Sequence, residues 1–293
     1  MSKAPKQIGF FHLYKPEQTT MEYGTHYDAF VSVPFAPGRR HLRLWIPESY
    51  DFKHPTPHPV IYFSDGQNMV DEYLTAYGDW HLDRVIRQLG QEGYPEPILV
   101  GIDCPKKPMR RTQELNPPYP VTKRPLGGDG KRGRIKIPLG YANRFIDYIA
   151  YELKPKIDQW LVTDPRVEAT GLGGSSMGGI MAFYGFLKYG NTFGYSLSFS
   201  PALFFYTDEE LEGIMEKEDP RPDHCPLLYL YVGGKEFEKV FIHATDYTYS
   251  LLKKRGFTKD NLALVHDPEA KHCEHDWYRH SFDALRFWLG HLK

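Results

Sequence analysis

Seven short stretches of the chain are apolar on nearly every residue or rich in β-branched and aromatic side chains. They are HLRLWI (41–46), PVIYFS (59–64), PILVGID (97–103), VEATGL (167–172), YSLSFS (195–200), PLLYLYV (226–232) and LALVHD (262–267). Strands that are apolar on successive residues, not on alternate ones, are covered on both faces. Between them lie stretches with helical spacing. In ANRFIDYIAYELKPKIDQWL, Phe145, Ile149 and Leu153 recur at intervals of four, and Ile146, Ile149, Leu153 and Ile157 form one apolar stripe. After Gly178, a second such face is carried by Ile180, Phe183, Tyr184 and Leu187 and runs out at Gly190. Alternation of strand and helix predicts an α/β architecture: a mainly parallel central sheet with helices on both faces. No internal repeat or linker divides the pattern, so residues 1–293 are expected to form one domain.

One segment interrupts the rhythm. From Pro105 to Pro138 the chain is rich in Pro, Gly, Lys and Arg and shows no periodicity, so a long loop, functional or mobile, is expected there. It holds ten basic residues (Lys106, Lys107, Arg110, Arg111, Lys123, Arg124, Lys131, Arg132, Arg134 and Lys136) against Glu114 and Asp129. The whole chain carries a formal net charge of only −1, which gives no general attraction to nucleic acid or membranes. The three cysteines, Cys104, Cys225 and Cys273, have no patterned spacing and read as free thiols of a reducing compartment. The opening MSKAPKQIGFFHLYKPEQ lacks the apolar core of about 7–15 residues that a secretory signal needs, and no apolar run reaches the ~18 of a membrane span. A cytoplasmic location is expected.

The candidate chemistry lies in VEATGLGGSSMGGIMAFYGFLKYG (167–190). G-x-S-x-G occurs once, as Gly174-Ser175-Ser176-Met177-Gly178, with Ser176 at its centre. The motif follows an expected strand and precedes an expected helix, the setting in which a strained turn lifts a serine hydroxyl above a sheet. Glycines on either side leave room for the backbone to cross, and the helix N-terminus favours developing negative charge. A serine hydroxyl needs a base and an orienting acid. In this arrangement they follow later, acid before histidine, each on a loop after a strand. The loop after PLLYLYV reads GGKEFEK and offers Glu236 and Glu238. The loop after LALVHD reads PEAKHCEHDW and offers His272 and His275.

These segments together resemble the putative-esterase (esterase D-like) family of α/β-hydrolases, over about His41 to Leu289. The family-like stretches are PVIYFSDGQN, ILVGID followed by RRTQEL, ELKPKID, GGSSMGG, SLSFSPAL and HCEHDW. The resemblance implies an α/β-hydrolase fold and ester hydrolysis. HCEHDW is similar to the family's H-x-E-x-x-W pattern, which selects His272. The family's G-x-x-(E/D) pattern after the acid strand selects Glu236, three residues beyond Gly233. An oxyanion hole needs two backbone donors. One is expected from Met177, directly after the serine; the family pattern points to DGQN for the other, at Gln67.

The expectation is therefore a cofactor-independent serine esterase with Ser176, His272 and Glu236 as triad, and a small-molecule ester as substrate. The basic loop makes anionic esters candidate substrates. Rivals on the same scaffold are an acyltransferase and an enterochelin-type siderophore esterase; a rival of another class is a non-catalytic binding protein. No Walker loop and no G-x-G-x-x-G suggests a nucleotide cofactor. His272, Cys273, His275 and Asp276 are all possible metal ligands, but they lack the helical H-E-x-x-H register and a second cluster, so no metal is expected.

Overall fold

Strands with no polar face belong in the middle of a sheet, and the computed structural model, which describes residues 11, 13–16, 19–69, 71, 78–121, 138–218 and 226–293, places all but LALVHD (262–267), an edge strand, there. In chain order the strands are β1 (Thr25–Ser32), β2 (Arg39–Ile46), β3 (Val60–Ser64), β4 (Ile98–Ile102), β5 (Thr170–Ser175), β6 (Tyr195–Phe199), β7 (Leu227–Gly233) and β8 (Leu262–Asp267). They form one sheet in the order β1-β2-β4-β3-β5-β6-β7-β8. β1 pairs antiparallel with β2 and β2 antiparallel with β4; every pair from β4 to β8 is parallel. Every residue of β3 through β7 is buried, whereas the edge strand β8 is only partly covered.

Alternate residues of each central strand feed two cores. On one face, Ile61, Phe63, Leu99 and Tyr195 pack with α1 (Leu82–Gln91) and α8 (Glu274–Gly290). On the other, Val60, Tyr62, Leu172 and Leu228 pack with α3 (Ala142–Tyr148), α5 (Met177–Lys188), α6 (Asp208–Glu218) and α7 (Lys239–Lys254). The stripe Phe145, Ile146, Ile149, Leu153, Ile157 is buried as its spacing requires. It does not run along one regular helix, because a π-helical turn at Ile149–Leu153 joins α3 to α4 (Lys154–Trp160). Pro155 has no N–H to donate to the Tyr151 carbonyl, and the widened turn accommodates that loss.

Three departures from the expected elements have physical causes. β5 starts later than VEATGL, since Val167–Ala169 form a 3₁₀ turn and the strand runs on to Ser175. The segment 105–138 is not wholly loop: Pro108 opens α2 (Pro108–Leu115), a helix with no apolar stripe. Ion pairs hold it instead, Arg111 to Asp65 at 2.7 Å and Glu114 to Arg40 at 2.9 Å. Residues 122–137 of that segment lie outside the described residues.

β1 escaped the pattern because buried polar residues are interleaved with its apolar core positions Tyr27, Ala29 and Val31. His26 and Asp28 are both buried, and Asp28 lies opposite Arg43 of β2 in the register. Arg43 donates to Asp28 at 2.7 Å and, through a two-bond fork, to Asp103 at 2.9 and 2.6 Å. Burial alone would raise the Asp28 pKa, but His26 and Arg43 outweigh it and hold it low. Replacing Arg43 with Met should leave two carboxylates without their shared cation and cost roughly 3–5 kcal/mol. Urea unfolding followed by far-UV circular dichroism measures this; a loss under about 1 kcal/mol would show that the network does not hold the sheet edge.

Candidate active site

β5 ends at Ser175 and α5 begins at Met177, so the chain reverses direction on one residue, Ser176. Ser176 has φ 57° and ψ −115°, a strained conformation for a residue with a Cβ. Neighbouring backbone holds it: its N–H donates to the Phe199 carbonyl at 2.9 Å, and its carbonyl accepts from Ala202 at 3.0 Å and Ile180 at 3.1 Å. The turn also requires two glycines. A Cβ on Gly174 would lie 2.6 Å from the carbonyl carbon of Gly178, and one on Gly178 would collide with Ser64 Oγ. Ser175 is buried in the strand, while Ser176 is partly exposed. The N–H of Met177 is among the first of α5, which have no partner within their own helix and sit at its positive end.

The loops after β7 and β8 bring a carboxylate to His272, but the residue is Glu238. His272 Nδ1 lies 3.0 Å from Glu238 Oε1. Glu238 has no exposed surface, and the imidazole is partly buried. Glu236, the expected acid, is turned outward: it has φ 52°, its side chain is 65% exposed, and it pairs with Lys271 at 2.6 Å. The spacing from Gly233 has a different cause from the one expected. A Cβ at Gly233 would come within 2.7 Å of the Ala270 carbonyl oxygen and 2.9 Å of Glu238 Cγ, so this glycine makes room for both. His272 is also braced by rings, with Phe241 stacked at 4.6 Å and Trp277 edge-on at 4.9 Å. His275 is exposed on α8.

The loop after β3 forms a 3₁₀ turn over Gly66–Asn68. Three attachments hold it. Asp65, at φ 54°, takes a two-bond fork from Arg111, both bonds at 2.7 Å. Gln67 accepts from the Cys104 N–H at 3.2 Å and donates to Cys104 Sγ at 3.3 Å, so its side chain is spent on the neighbouring strand end and only its backbone faces other work. Asn68 donates to Glu274 of α8 at 2.8 Å. Burial would raise the Asp65 pKa, but the Arg111 guanidinium prevails and lowers it. Burial, reinforced by Asp65, pushes the Cys104 thiol up to about 12. Burial likewise pushes Glu274 up to about 7, with Asp65 adding and Arg111 and Asn68 opposing.

Of the expected residues, Ser176 and Met177 lie at the turn after β5, the DGQN loop follows β3, and His272 meets Glu238, which the sequence offered only as the alternative to Glu236. Sequence reasoning missed the bracing of the DGQN loop by Arg111 and Glu274, although both sit in family-like segments, because their partners are remote in sequence. It also missed an aromatic wall beside His272: Phe204, Phe237 and Phe241 meet edge to face at 4.9–6.3 Å, and Phe237 is 49% exposed. Of the basic segment, Arg111 is committed to Asp65, and Lys123, Arg124, Lys131, Arg132, Arg134 and Lys136 lie outside the described residues. Among the described residues, no group of three His, Cys, Asp or Glu side chains is placed to hold a metal, and no helix is long and apolar enough to cross a membrane. Cys104 and Cys273 are free; Cys225 lies outside the described residues.

A family model described as "Putative esterase" matches residues 36–212, more than half of the chain; the match includes Ser176 and ends before Glu238 and His272. The uncharacterized protein YbbA of Bacillus subtilis (strain 168) is 24% identical over 260 residues, covering 86% of this chain and 94% of that protein. Two solved structures share the fold at low identity. The enterobactin esterase FES from Shigella flexneri, solved in the presence of enterobactin, has a TM-score of 0.67 at 16% identity, over 95% of this chain and 61% of that one. The ferulic acid esterase AmCE1/Fae1A from Anaeromyces mucronatus, in complex with ferulic acid, has a TM-score of 0.64 at 17% identity, over 98% and 99% of the two chains.

The position of Glu274 gives a test of the site's electrostatics. Its folded pKa, about 7, lies above its ordinary 4.5, so the neutral form is favoured in the folded protein. Its contribution is fully present below about pH 4.5 and is lost as pH rises through 7. Glu274→Gln, which keeps an acceptor for Asn68, should therefore match the parent's stability at pH 4 and exceed it by roughly 1–3 kcal/mol at pH 8. Thermal unfolding at the two pH values measures this; an equal difference at both would show that the carboxyl is not held neutral.

Proposed function

The chain belongs to the family described as "Putative esterase" and is a carboxylic ester hydrolase; we propose that Ser176, His272 and Glu238 are its nucleophile, base and acid. One observation carries the choice of acid, the 3.0 Å contact between His272 Nδ1 and the fully buried Glu238. Ser176 Oγ attacks the ester carbonyl while His272 Nε2 takes its proton. The Nδ1–H bond to Glu238 fixes the tautomer that leaves Nε2 free to accept, and it stabilises the imidazolium that forms. The oxyanion is met by the backbone N–H groups of Met177 and Gln67. As the tetrahedral adduct collapses, the ester C–O bond breaks and His272 returns the proton to the departing alkoxide. Water then attacks the acyl-enzyme with His272 again as base, which releases the acid and restores the Ser176 hydroxyl.

The aromatic wall supports esters of aromatic acids as substrates. Phe237 keeps half of its surface exposed beside His272, where an acyl ring can stack against it and Phe204. The ferulic acid complex of AmCE1/Fae1A is consistent with this reading. Hydrolysis and transfer to an alcohol use the same groups, and product analysis with added acceptor alcohols separates them.

Ser176→Ala should lower p-nitrophenyl acetate hydrolysis by about 10³-fold or more and abolish labelling by a fluorophosphonate, while Ser175→Ala keeps both. Retained labelling in Ser176→Ala would remove the serine from the mechanism. Glu238→Gln should lower kcat by about 10²–10⁴-fold with little change in KM, and Glu236→Gln by less than about twofold. The reverse ranking would return the acid to Glu236.

Phe237→Ala should raise KM for a feruloyl or benzoyl ester by about 5- to 20-fold and leave acetate esters nearly unchanged. A matching change for both ester classes would dismiss the wall as a substrate contact.

A further inference from the structure

Glu238 is a carboxylate with no exposed surface, so its orientation depends on the few donors that reach it. Both that do meet the same oxygen. Oε1 lies 3.0 Å from His272 Nδ1 and 2.6 Å from Ser200 Oγ, and Oε2 has no hydrogen-bond partner among the described residues. Ser200 has no exposed surface either and is held at φ 43° just past the end of β6. Its own Oγ receives a further bond, from the indole Nε1–H of Trp277 at 3.1 Å. An indole N–H can only donate and a carboxylate can only accept. The hydroxyl proton of Ser200 is therefore directed at Glu238, and the bonds run one way, from Trp277 to Ser200 to Glu238.

We propose that Ser200 and Trp277 are positioning residues of the catalytic machinery, a one-way donor relay that holds the Glu238 carboxylate in the orientation in which it accepts from His272. The proposal rests on the triad reading above. Without the Ser200 hydroxyl, His272 is the carboxylate's one remaining donor, and the carboxylate can rotate about its last bonds. Charge on it becomes more costly, and the imidazole loses its fixed partner. The strained backbone at Ser200 fits this role, because the left-handed turn sets the hydroxyl between strand β7, the loop of Glu238 and helix α8. Trp277 packs edge-on against the His272 ring as well, so one side chain both braces the base and supplies the first donor for the acid.

The test compares Ser200→Ala, Ser200→Gly, Trp277→Phe and the double variant Ser200→Ala/Trp277→Phe in the full chain, with kcat, KM, the pH profile and thermal stability measured for each. Ser200→Ala should lower kcat by about 10- to 100-fold, the range of one bond to a buried charge, with KM within about threefold. Ser200→Gly relieves the backbone at positive φ but has no hydroxyl, so it should lose the same activity. Trp277→Phe should lose less, and the double variant no more than Ser200→Ala, since the indole reaches Glu238 only through Ser200. The acid limb of kcat/KM should move to higher pH in Ser200→Ala. The ionisable neighbours of Glu238 that bear on this limb are His272, in contact with it, and Tyr231, whose phenol burial holds protonated.

A parent-like kcat in Ser200→Ala, recovery of kcat in Ser200→Gly, or full additivity in the double variant would each overturn the relay. Ser176→Ala and Glu238→Gln assayed beside them keep the two readings apart. If those remain active, the triad reading fails; if they are inactive while Ser200→Ala is not, only the relay fails.

Discussion

A residue with a Cβ held at positive φ between a strand and a helix is costly, by about 1–3 kcal/mol, and persists only where its surroundings leave no alternative. At Ser176 those surroundings are backbone. β6 supplies the Phe199 carbonyl and the following turn supplies the Ala202 N–H, so the elbow is bolted to the next strand. Every residue of α5 except Lys188 is buried, which fixes the helix end of the turn as firmly as β5 fixes the strand end. The same end of β6 carries Ser200, one residue past Phe199, which reaches across to Glu238. Ser176 and Glu238 are thus referred to a single strand end, although the two lie far apart in the chain.

Asp65, Glu274 and Glu238 are buried carboxylates of this region, and each is stabilised differently. Asp65 has a guanidinium with two matched bonds, which keeps it ionised. Glu274 has an amide donor and the start of α8, too little against burial, and its carboxyl is pushed up to about 7. Glu238 has a hydroxyl and an imidazole on one oxygen, an arrangement in which its charge is shared with the group it orients. In the proposed triad, a full counter-ion at Glu238 would compete with the imidazolium for that charge, so a neutral hydroxyl donor suits the acid better. α8 connects all of this: its first turns present Glu274 to the loop after β3 and Trp277 to Ser200, directly after His272.

The central strands, the helices that cover them and the strand–turn–helix setting of Ser176 were legible because each depends on residues adjacent in sequence. Apolar runs demand cover on both faces, and Gly-x-Ser-x-Gly allows a reversal that few other residue patterns can make. β1 was illegible for the same reason in reverse. His26 and Asp28 are buried between its apolar positions, and nothing local says that Arg43 of the next strand will pair with Asp28. α2 was hidden likewise, since ion pairs to Asp65 and Arg40 replace the apolar stripe that marks a helix.

Within the site, the sequence by itself singled out Ser176, His272 and the loops that carry the remaining groups, because these follow from order along the chain and from local turn chemistry. Only the tertiary structure shows that Glu238, and not Glu236, is the carboxylate in contact with His272. Two carboxylates two residues apart on one turn have nearly the same local description. What separates them is which one faces inward, to Ser200 and His272, and which faces outward, to Lys271. That choice is made by contacts among three strand ends and a helix, and no stretch of sequence contains all four.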